Sequence, residues 1–160
     1  MAVTTTSGTK VWIGPVATNV TDTSAEYAAL TPYVLIGEVE SYGDFGDSAA
    51  DVTFTSVGDA RVRHFKGARD AGTLSLTIGR DPADAGQIAL KAAELTKFEY
   101  AIKIEAADAP DVNKTNTIYY FRGLVRTAKS SYGTNDNVVK IMAEIGINSP
   151  ILEIPPATII

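Results

Sequence analysis

Few side chains in this 160-residue sequence could do acid–base or metal chemistry: one histidine, His64, and nineteen acids. His64 lies between Arg63 and Phe65, and a lone imidazole supplies a single metal ligand. The sequence has no cysteine to add further ligands or a thiolate nucleophile. A Ser-His-Asp triad would have to use His64, but no Gly-x-Ser-x-Gly turn accompanies it. We therefore expect neither a metal site nor nucleophilic catalysis.

Paired carboxylates are another route to hydrolysis, and Glu38 and Glu40 are predicted to share one face of a strand. Solvated acids on an exposed strand face are, however, far commoner than a catalytic pair. The glycine-containing runs at 43–46 and 67–72 lack the spacing of a phosphate loop or a dinucleotide fingerprint. We therefore expect that the protein is not an enzyme and that it binds no cofactor.

The strongest pattern is an ordered separation of charge between residues 42 and 72. Between residues 44 and 59 (the acidic arm) every charged side chain is an acid. Between residues 61 and 69 (the basic arm) every charged side chain is a base, and His64 lies among them. Either the arms fold back on each other as a hairpin with opposite charges across it, or each meets the opposite arm of another copy. The second arrangement is a heterologous contact, which builds rings or filaments. The residues predicted to make contacts between copies are Asp44, Phe45, Asp47, Asp51, Phe54, Asp59, Arg61, Arg63, His64, Phe65, Lys66 and Arg69.

Composition narrows the class of protein. A hydrophobic content of 45% with 21% charged residues is typical of a globular chain, and no apolar run approaches the roughly 20 residues of a membrane helix. The net charge of -5 argues against a strong, delocalised nucleic-acid binder, whose affinity comes from neutralising phosphates. The first eight residues lack the features of a secretory signal, and the absence of cysteine fits a reducing cytoplasm.

Apolar and polar residues alternate with a period of two through most of the chain, which predicts strands. They fall at 10–14, 33–41, 52–55, 61–65, 73–78, 98–105, 117–127 and 138–147, with a helical turn around 24–30. Leu74, Leu76 and Ile78 are predicted to face inward. So are Val139, Ile141, Ala143, Ile145 and Ile147 in the last strand. The proline-containing tail at 149–160 is predicted to be apolar but unable to join a sheet centrally.

One longer helix is predicted at about 82–95. Asp81 suits its N-cap, Pro82 its first position and Asp84 its first turn. Helical spacing predicts an inner face of Ala85, Ile88, Ala89, Ala92 and Leu95, with Asp84, Gln87, Lys91 and Glu94 outside. Together these elements predict a mainly β fold: an antiparallel β-sandwich or barrel with one flanking α-helix (about 82–95) and a long inter-strand loop (about 42–72).

A set of sequence runs covers most of the chain between residues 9 and 149. It comprises IGEVESYGDFG at 36–46, DVTFT at 51–55, RVRHFKGARDAGT at 61–73, GRDP at 79–82 with Gln87, YYFRGLV at 119–125 and GTNDN at 133–137. This set resembles the tail tube (major tail) proteins of long-tailed, non-contractile bacteriophages and of prophage-derived particles. As a whole the pattern is specific, although no single run would suffice.

The resemblance implies a single domain over residues 1–160 that forms stacked hexameric rings, a tube through which the genome leaves the capsid. It implies a β-sandwich that contributes strands to a continuous inner barrel and a loop at 42–72 that reaches the adjoining ring. The tail at 149–160, predicted from its residues to be extended, follows the family pattern least. The implied partners are other copies, the tape measure protein, the tail terminator and distal tail proteins. Double-stranded DNA would pass through without specific binding, and no membrane is involved. The implied location is the virion tail, assembled in the bacterial host cytoplasm.

A conduit must not hold its cargo, and phosphate contacts from Lys and Arg supply most non-specific DNA affinity. We therefore predict a net negative or neutral lumen, with the bases of the basic arm engaged in contacts between subunits. The candidate lumen-facing residues are Glu38, Glu40, Thr73, Ser75 and Thr77.

An alternative of another class is a β-sandwich module that binds carbohydrate or protein. Its stacking platform would consist of Trp12, Tyr119, Tyr120 and Tyr132. Aromatic residues on a long strand are more often part of the core.

Overall fold

A computed structural model describes residues 3–17 and 22–159 of the chain. Its strands are β1 (Lys10–Val16), β2 (Val34–Ile36), β3 (Val39–Tyr42), β4 (Ser48–Thr55), β5 (Val62–Asp70), β6 (Thr73–Gly79), β7 (Tyr100–Glu105), β8 (Ile118–Ser131), β9 (Lys140–Ile147) and β10 (Leu152–Ile154). Helix α1 (Ser24–Ala29) lies where the helical turn was predicted, and α2 (Ala85–Glu94) is the flanking helix. The mainly β, antiparallel fold class is confirmed. No helix in these residues is long and apolar enough to cross a membrane.

Eight strands form one antiparallel sheet in the order β2-β1-β7-β8-β9-β6-β3, with β10 also paired to β8, while β4 and β5 pair separately. The long strand β8 serves two parts of this sheet. Its residues 118–123 pair with β7, and residues 123–131 pair with β9. We call β2, β1, β7, β10 and the start of β8 the first half-sheet. The rest of β8 with β9, β6 and β3 is the second half-sheet.

The strand order forces the sheet to curl. β2 and β3 lie at opposite ends of the order, yet only Gly37 and Glu38 separate them along the chain. The two sheet edges must therefore come together, and the half-sheets face each other as a sandwich. The single strand predicted at 33–41 is wrong, because Glu38 adopts the left-handed conformation (φ 60°) and ends β2. Glu38 and Glu40 consequently do not share a strand face.

The main core fills the space between the half-sheets. Leu74, Leu76 and Ile78 of β6 are fully buried, as predicted, and so are Ile141, Ala143 and Ile145 of β9. They meet Val11, Ile13, Ile102, Ile104 and Phe121 from the first half-sheet. Full burial of one such aliphatic side chain contributes about 1.5–3 kcal/mol, so alternation along the strands largely determines the fold.

Helix α2 begins later than predicted. Asp84, not Asp81, is its N-cap, because the Asp84 side chain accepts a hydrogen bond of 3.0 Å from Gln87 N. Asp81 instead accepts one of 3.0 Å from Ala83 N, and this turn precedes the helix. Pro82 therefore lies in the turn and not at the first helical position.

The predicted inner face of α2 is also wrong. The buried residues are Gly86, Gln87, Leu90 and Ala93, whereas Ile88 is 57% exposed and Leu95 84% exposed. The reason lies in β2, since a Cβ on residue 86 would overlap the carbonyl of Leu35. Only the glycine side of the helix can approach that backbone, which fixes the rotation of the helix about its axis.

A smaller core lies on the outer side of the first half-sheet, under α1. It contains Ala17, Tyr27, Ala101 and Tyr120, with Leu152 and Ile154 packed against it. The tail reaches it as a three-residue strand paired with β8, beyond the point where β9 ends. Further on, Thr115 N donates to Ala157 O at 2.9 Å. The tail thus docks on its own chain.

Several element bounds differ from prediction. β1 continues past Gly14 to Val16 through a register shift, and β4, β5 and β8 are longer than predicted. The strand predicted at 98–105 begins only at Tyr100, so Phe98 precedes β7 and is 54% exposed.

Candidate assembly surfaces

The segment between β3 and β6 is a two-stranded hairpin, not an irregular loop. β4 and β5 pair from Ser48 opposite Asp70 to Thr55 opposite Val62, with one register shift. This pairing folds the acidic arm back on the basic arm, the first of the two arrangements allowed by the sequence. Contacts with another copy stay a prediction.

Three ion pairs join the arms within one chain. They are Arg63–Asp59 at 2.6 Å, His64–Asp51 at 3.0 Å (when His64 is protonated) and Arg69–Asp47 at 3.5 Å. Two hydrogen bonds lower the pKa of Asp59: the larger effect comes from the backbone N–H of Arg61, and the smaller from the Arg63 guanidinium. Exposed pairs of this kind add little to stability. They do use up much of the charge that was predicted to face another copy.

Two bases of the hairpin lack such a partner. Arg61 and Lys66 make no ion pair with any residue that the structure describes, and neither does Asp44. All three are exposed. These charges are available to a second molecule.

The hairpin has one apolar face, formed by Val52, Phe54 and Phe65. Val52 lies opposite Phe65, and Phe54 is two residues along β4, so the three side chains point the same way. Their exposed fractions are 48%, 57% and 55%. Gly67 leaves room on this face, because a Cβ there would come within 2.8 Å of Val52 Cγ2. The described part of the chain leaves this apolar face half exposed.

Phe45, also predicted to contact another copy, lies instead against its own core. Its ring meets Tyr119 edge-on at 5.2 Å and Phe121 at 6.4 Å between ring centroids. This packing attaches the base of the hairpin to the sandwich.

The candidate lumen residues of β6 lie together on the outer face of the second half-sheet. Thr73, Ser75 and Thr77 alternate with the buried residues of β6, and Ser75 lies opposite Glu144. Glu40 reaches the same face through an ion pair of 2.7 Å with Lys140. Glu38 lies outside the strands, in the link between β2 and β3, beside Gly79 at the end of this face.

Most charges on this outer face are paired. Arg126 contacts Glu144 at 3.6 Å and donates to Thr73 Oγ1 at 2.8 Å. Lys129, which lies opposite Met142, has no ion-pair partner in the described ranges. The strands of this face thus carry a net charge of +1. The bases are Arg126, Lys129 and Lys140, and the acids are Glu40 and Glu144. Arg126, Lys129 and Glu144 were not among the residues predicted for this face.

The second half-sheet has two open edges. No strand in residues 3–17 or 22–159 pairs with the outer side of β3, and none pairs with residues 124–131 of β8 on the side away from β9. Each of the three steps from β3 through β6 and β9 to β8 is antiparallel. The two open edges therefore run in opposite directions.

The four aromatic residues of the alternative reading do not form one platform. Tyr120 is buried and stacks on Tyr27 at 5.7 Å, while Tyr119 packs on Phe45. Trp12 lies beneath the ammonium group of Lys103, 4.7 Å from the ring centroid. Burial raises the pKa of Tyr27 and of Tyr120, as expected for core phenols. This arrangement favours a packing role for the two strand tyrosines.

A polar cluster joins α1, β7 and β8, and it was not predicted because its members are far apart in the chain. Arg122 contacts Asp22 at 3.2 Å and Glu99 at 3.5 Å. Tyr27 donates to Asp22 Oδ1 at 2.7 Å, and Arg122 N donates to Ser149 Oγ at 3.0 Å. The cluster fixes α1 and the start of the tail to β8. Among the described residues, no group of three or more His, Cys, Asp or Glu side chains could hold a metal ion.

Neither a protein-family model nor the sequence of a curated protein matches this chain. Solved structures do match. A chain of the SPP1 tail tube superposes with a TM-score of 0.64 at 14% identity, over 91% of this chain and 75% of that chain. The sheath/tube terminator of the extracellular contractile injection system PVC, in its extended state, gives 0.65 at 11% identity, over 96% and 98%.

A chain of the anti-feeding prophage baseplate, a 6-fold symmetrised structure, gives a TM-score of 0.65 at 10% identity, over 97% of this chain and 98% of that chain. Such low identities compare folds and not activities. The expected resemblance is confirmed at that level: this chain has the fold of tail tube, tube terminator and baseplate proteins.

Proposed function

We propose that the chain is a structural subunit of a phage tail tube, which closes into rings through its open strand edges and stacks them through its hairpin. The observation that carries this proposal is the second half-sheet. An open edge is a template for pairing with another chain, and closure of a barrel removes such edges. The four strands of the second half-sheet alternate in direction. Because of this, β3 of one copy can pair antiparallel with β8 of the next, and the pattern repeats around a ring.

The outer face of the second half-sheet would then line the lumen. The outer side of the first half-sheet is covered by α1 and the tail, so it cannot serve as a bare barrel wall. On the lining face the ion pairs Glu40–Lys140 and Arg126–Glu144 neutralise four of the charges. Lys129 is left over, so the strands of this face carry one positive charge per subunit, where a neutral or negative lumen was predicted. A single unpaired base per subunit still offers DNA phosphates few contacts, which supports a conduit.

The remaining parts of the proposal come from the resemblance. We infer hexameric rings, and the 6-fold symmetrised baseplate structure of the same fold is compatible with that number. The partners would be the tape measure protein, the tail terminator and distal tail proteins, in a virion tail assembled in the host cytoplasm. Residues 1–160 would act as one structural domain without enzymatic activity.

A second candidate is a terminator or baseplate subunit. The PVC sheath/tube terminator and the anti-feeding prophage baseplate chain share this fold over 96% and 97% of this chain, which supports this candidate. Such a subunit would form single rings that do not extend.

Negative-stain microscopy of the purified protein at increasing concentration tests the proposal. We expect rings that stack into tubes of constant diameter. Isolated rings would favour the terminator or baseplate role. A protein that stays monomeric at the highest concentration would overturn both and favour a binding module.

A further inference from the structure

Helix α2 has two apolar faces, and the core of its own chain covers only one of them. Gly86, Leu90 and Ala93 pack inward. The opposite face carries residues that helical spacing had predicted to be buried, and of these Ile88 is 57% exposed and Leu95 84% exposed. Both belong to one exposed line along the helix, which we call the outer stripe: Ala85, Ile88, Ala92 and Leu95.

Helix α2 lies beside the open edge of β8. Before the helix, the Arg80 guanidinium donates to Ser130 Oγ at 3.2 Å. After it, the hydroxyls of Thr96 and Tyr100 lie 3.1 Å apart, and Tyr100 pairs opposite Gly123. The helix therefore runs past the part of β8 that β7 leaves unpaired. The proposed contact between β3 and β8 would bring a second copy alongside this helix.

Charge at this place is complementary between copies. Lys91 borders the outer stripe and Lys97 follows the end of the helix, and neither has an ion-pair partner among the described residues. Glu38 and Asp44 flank β3, and these exposed acids are likewise unpaired there. Since β3 of the second copy would lie against β8, its two acids would come near the bases of α2. Glu94 also lies on the helix, so the attraction is local and the apolar stripe must supply most of the affinity.

We propose that the outer stripe of α2 packs on the neighbouring copy within a ring, against the residues that flank β3. The inference rests on the proposed function and adds a side-chain contact to the strand pairing between copies. An apolar centre with a polar rim is the usual composition of an interface between subunits. Strand edges joined by backbone hydrogen bonds alone are weakly specified in register, and packing on the outer stripe would fix the register of β3 on β8.

Ring assembly tests the outer stripe. The stripe variant is Ile88→Glu with Leu95→Glu; both side chains are exposed, so the subunit should keep its fold, as circular dichroism would check. We expect it to remain monomeric at concentrations at which the wild type forms rings. The matched control, Ala109→Glu with Val112→Glu, places the same two charges in an exposed loop and should assemble like the wild type. Rings from the stripe variant at the wild-type concentration would contradict the proposal.

Alkylation shows in which assembly the stripe is covered. The chain has no cysteine, so Leu95→Cys introduces a single thiol. Its reaction with a maleimide should slow at least about tenfold from monomer to isolated rings, because the centre of an interface excludes solvent, and tubes should give no further slowing. Val112→Cys, 92% exposed outside the stripe, should react equally fast in all three. Unchanged reactivity of Leu95→Cys in rings, or protection that begins only in tubes, would exclude a contact within the ring.

A charge exchange tests which surface of the neighbour is the partner. Lys91→Glu with Lys97→Glu should raise the concentration needed for rings by about tenfold, since acids then face acids. Adding Glu38→Lys and Asp44→Lys to the same chain should restore assembly. A combined variant that assembles no better than the helix variant would show that the residues flanking β3 are not the partner surface. Failure of the wild type to form rings or tubes would instead overturn the proposed function itself.

Discussion

Gln87 donates a hydrogen bond of 3.2 Å from its side-chain amide to the carbonyl oxygen of Gly37, across the seam where the two edges of the sheet meet. The same amide donates to Gly79 O at 2.9 Å, and its oxygen accepts from Asp81 N at 2.9 Å. Gln87 is 2% exposed, so water cannot replace these partners. One helical side chain thus fastens the β2–β3 link to the end of β6.

Replacing Gln87 with Leu should lower the free energy of unfolding by about 2–4 kcal/mol, because it leaves three partly buried backbone groups without their hydrogen-bond partner. The measurement is chemical denaturation of the monomer. Ala92→Leu, on the exposed side of the same helix, is the control and should change stability by less than about 0.5 kcal/mol. Equal stability of the two variants would contradict the role given to Gln87.

Assembly should protect the two open edges from hydrogen exchange. Amides of β3 (Val39–Tyr42) and of residues 124–131 that point away from the sheet pair with no strand of the described residues in the monomer. Ring closure would pair them, and we expect exchange to slow at least tenfold in tubes relative to monomer, followed by mass spectrometry. Strand β7 is already paired on both sides and serves as the internal control. Protection confined to the hairpin would exclude closure through these edges.

Reversal of the basic arm, Arg61, Arg63 and Lys66 to Glu, should leave a folded subunit that fails to form tubes. Because Arg63 is paired with Asp59 in its own chain, the double variant Arg61→Glu with Lys66→Glu should suffice. Microscopy and sedimentation at physiological salt measure the loss. The single variant Lys114→Glu, in a loop outside the hairpin, is the control for a charge reversal elsewhere on the surface. Normal tubes from the triple variant would remove charge as a cause of stacking.

Acid should weaken the loop that precedes β8. The backbone N–H of Thr117 donates to Asp108 at 2.8 Å, and its hydroxyl donates at 2.7 Å. Both hydrogen bonds lower the pKa of this carboxyl, the backbone one more strongly. A lowered pKa in the folded state means that the stabilisation is present above the ordinary pKa of an aspartate and is lost as pH falls through the lowered value.

Asp108→Ala should therefore cost about 1 kcal/mol at neutral pH and progressively less in acid. Unfolding of both proteins between pH 7 and pH 2.5 gives the comparison. Asp111→Ala, in the same loop, should cost less, because its carboxylate accepts only the N–H of Asn113. A constant difference between Asp108→Ala and the wild type across this range would show that the carboxylate is not the source.

Alternation along the chain was enough to predict which residues of β6 and β9 are buried. Leu74, Leu76 and Ile78 make one face of their strand apolar. Such a face packs against the core, so the burial of these residues follows from the sequence alone. The separated charges at 44–69 likewise predicted a hairpin as one of two arrangements. The resemblance of several runs to tail tube proteins predicted a fold that the solved structures confirm.

Tertiary contacts decided the rest. Asp81 and Asp84 are equally good N-caps by type, and the choice between them follows from Asp84 also accepting a hydrogen bond of 3.1 Å from Gly37 N, 47 residues away. The buried face of α2 depends on the backbone of Leu35, which admits only Gly86. β3 lies at an edge because Glu38 turns the chain from one end of the sheet to the other. The edge of β8 is open beyond Gly123, where its pairing with β7 ends. A periodic pattern records which side of an element is apolar, but which neighbour approaches it, and which strand remains unpaired, depends on contacts between residues distant in the chain.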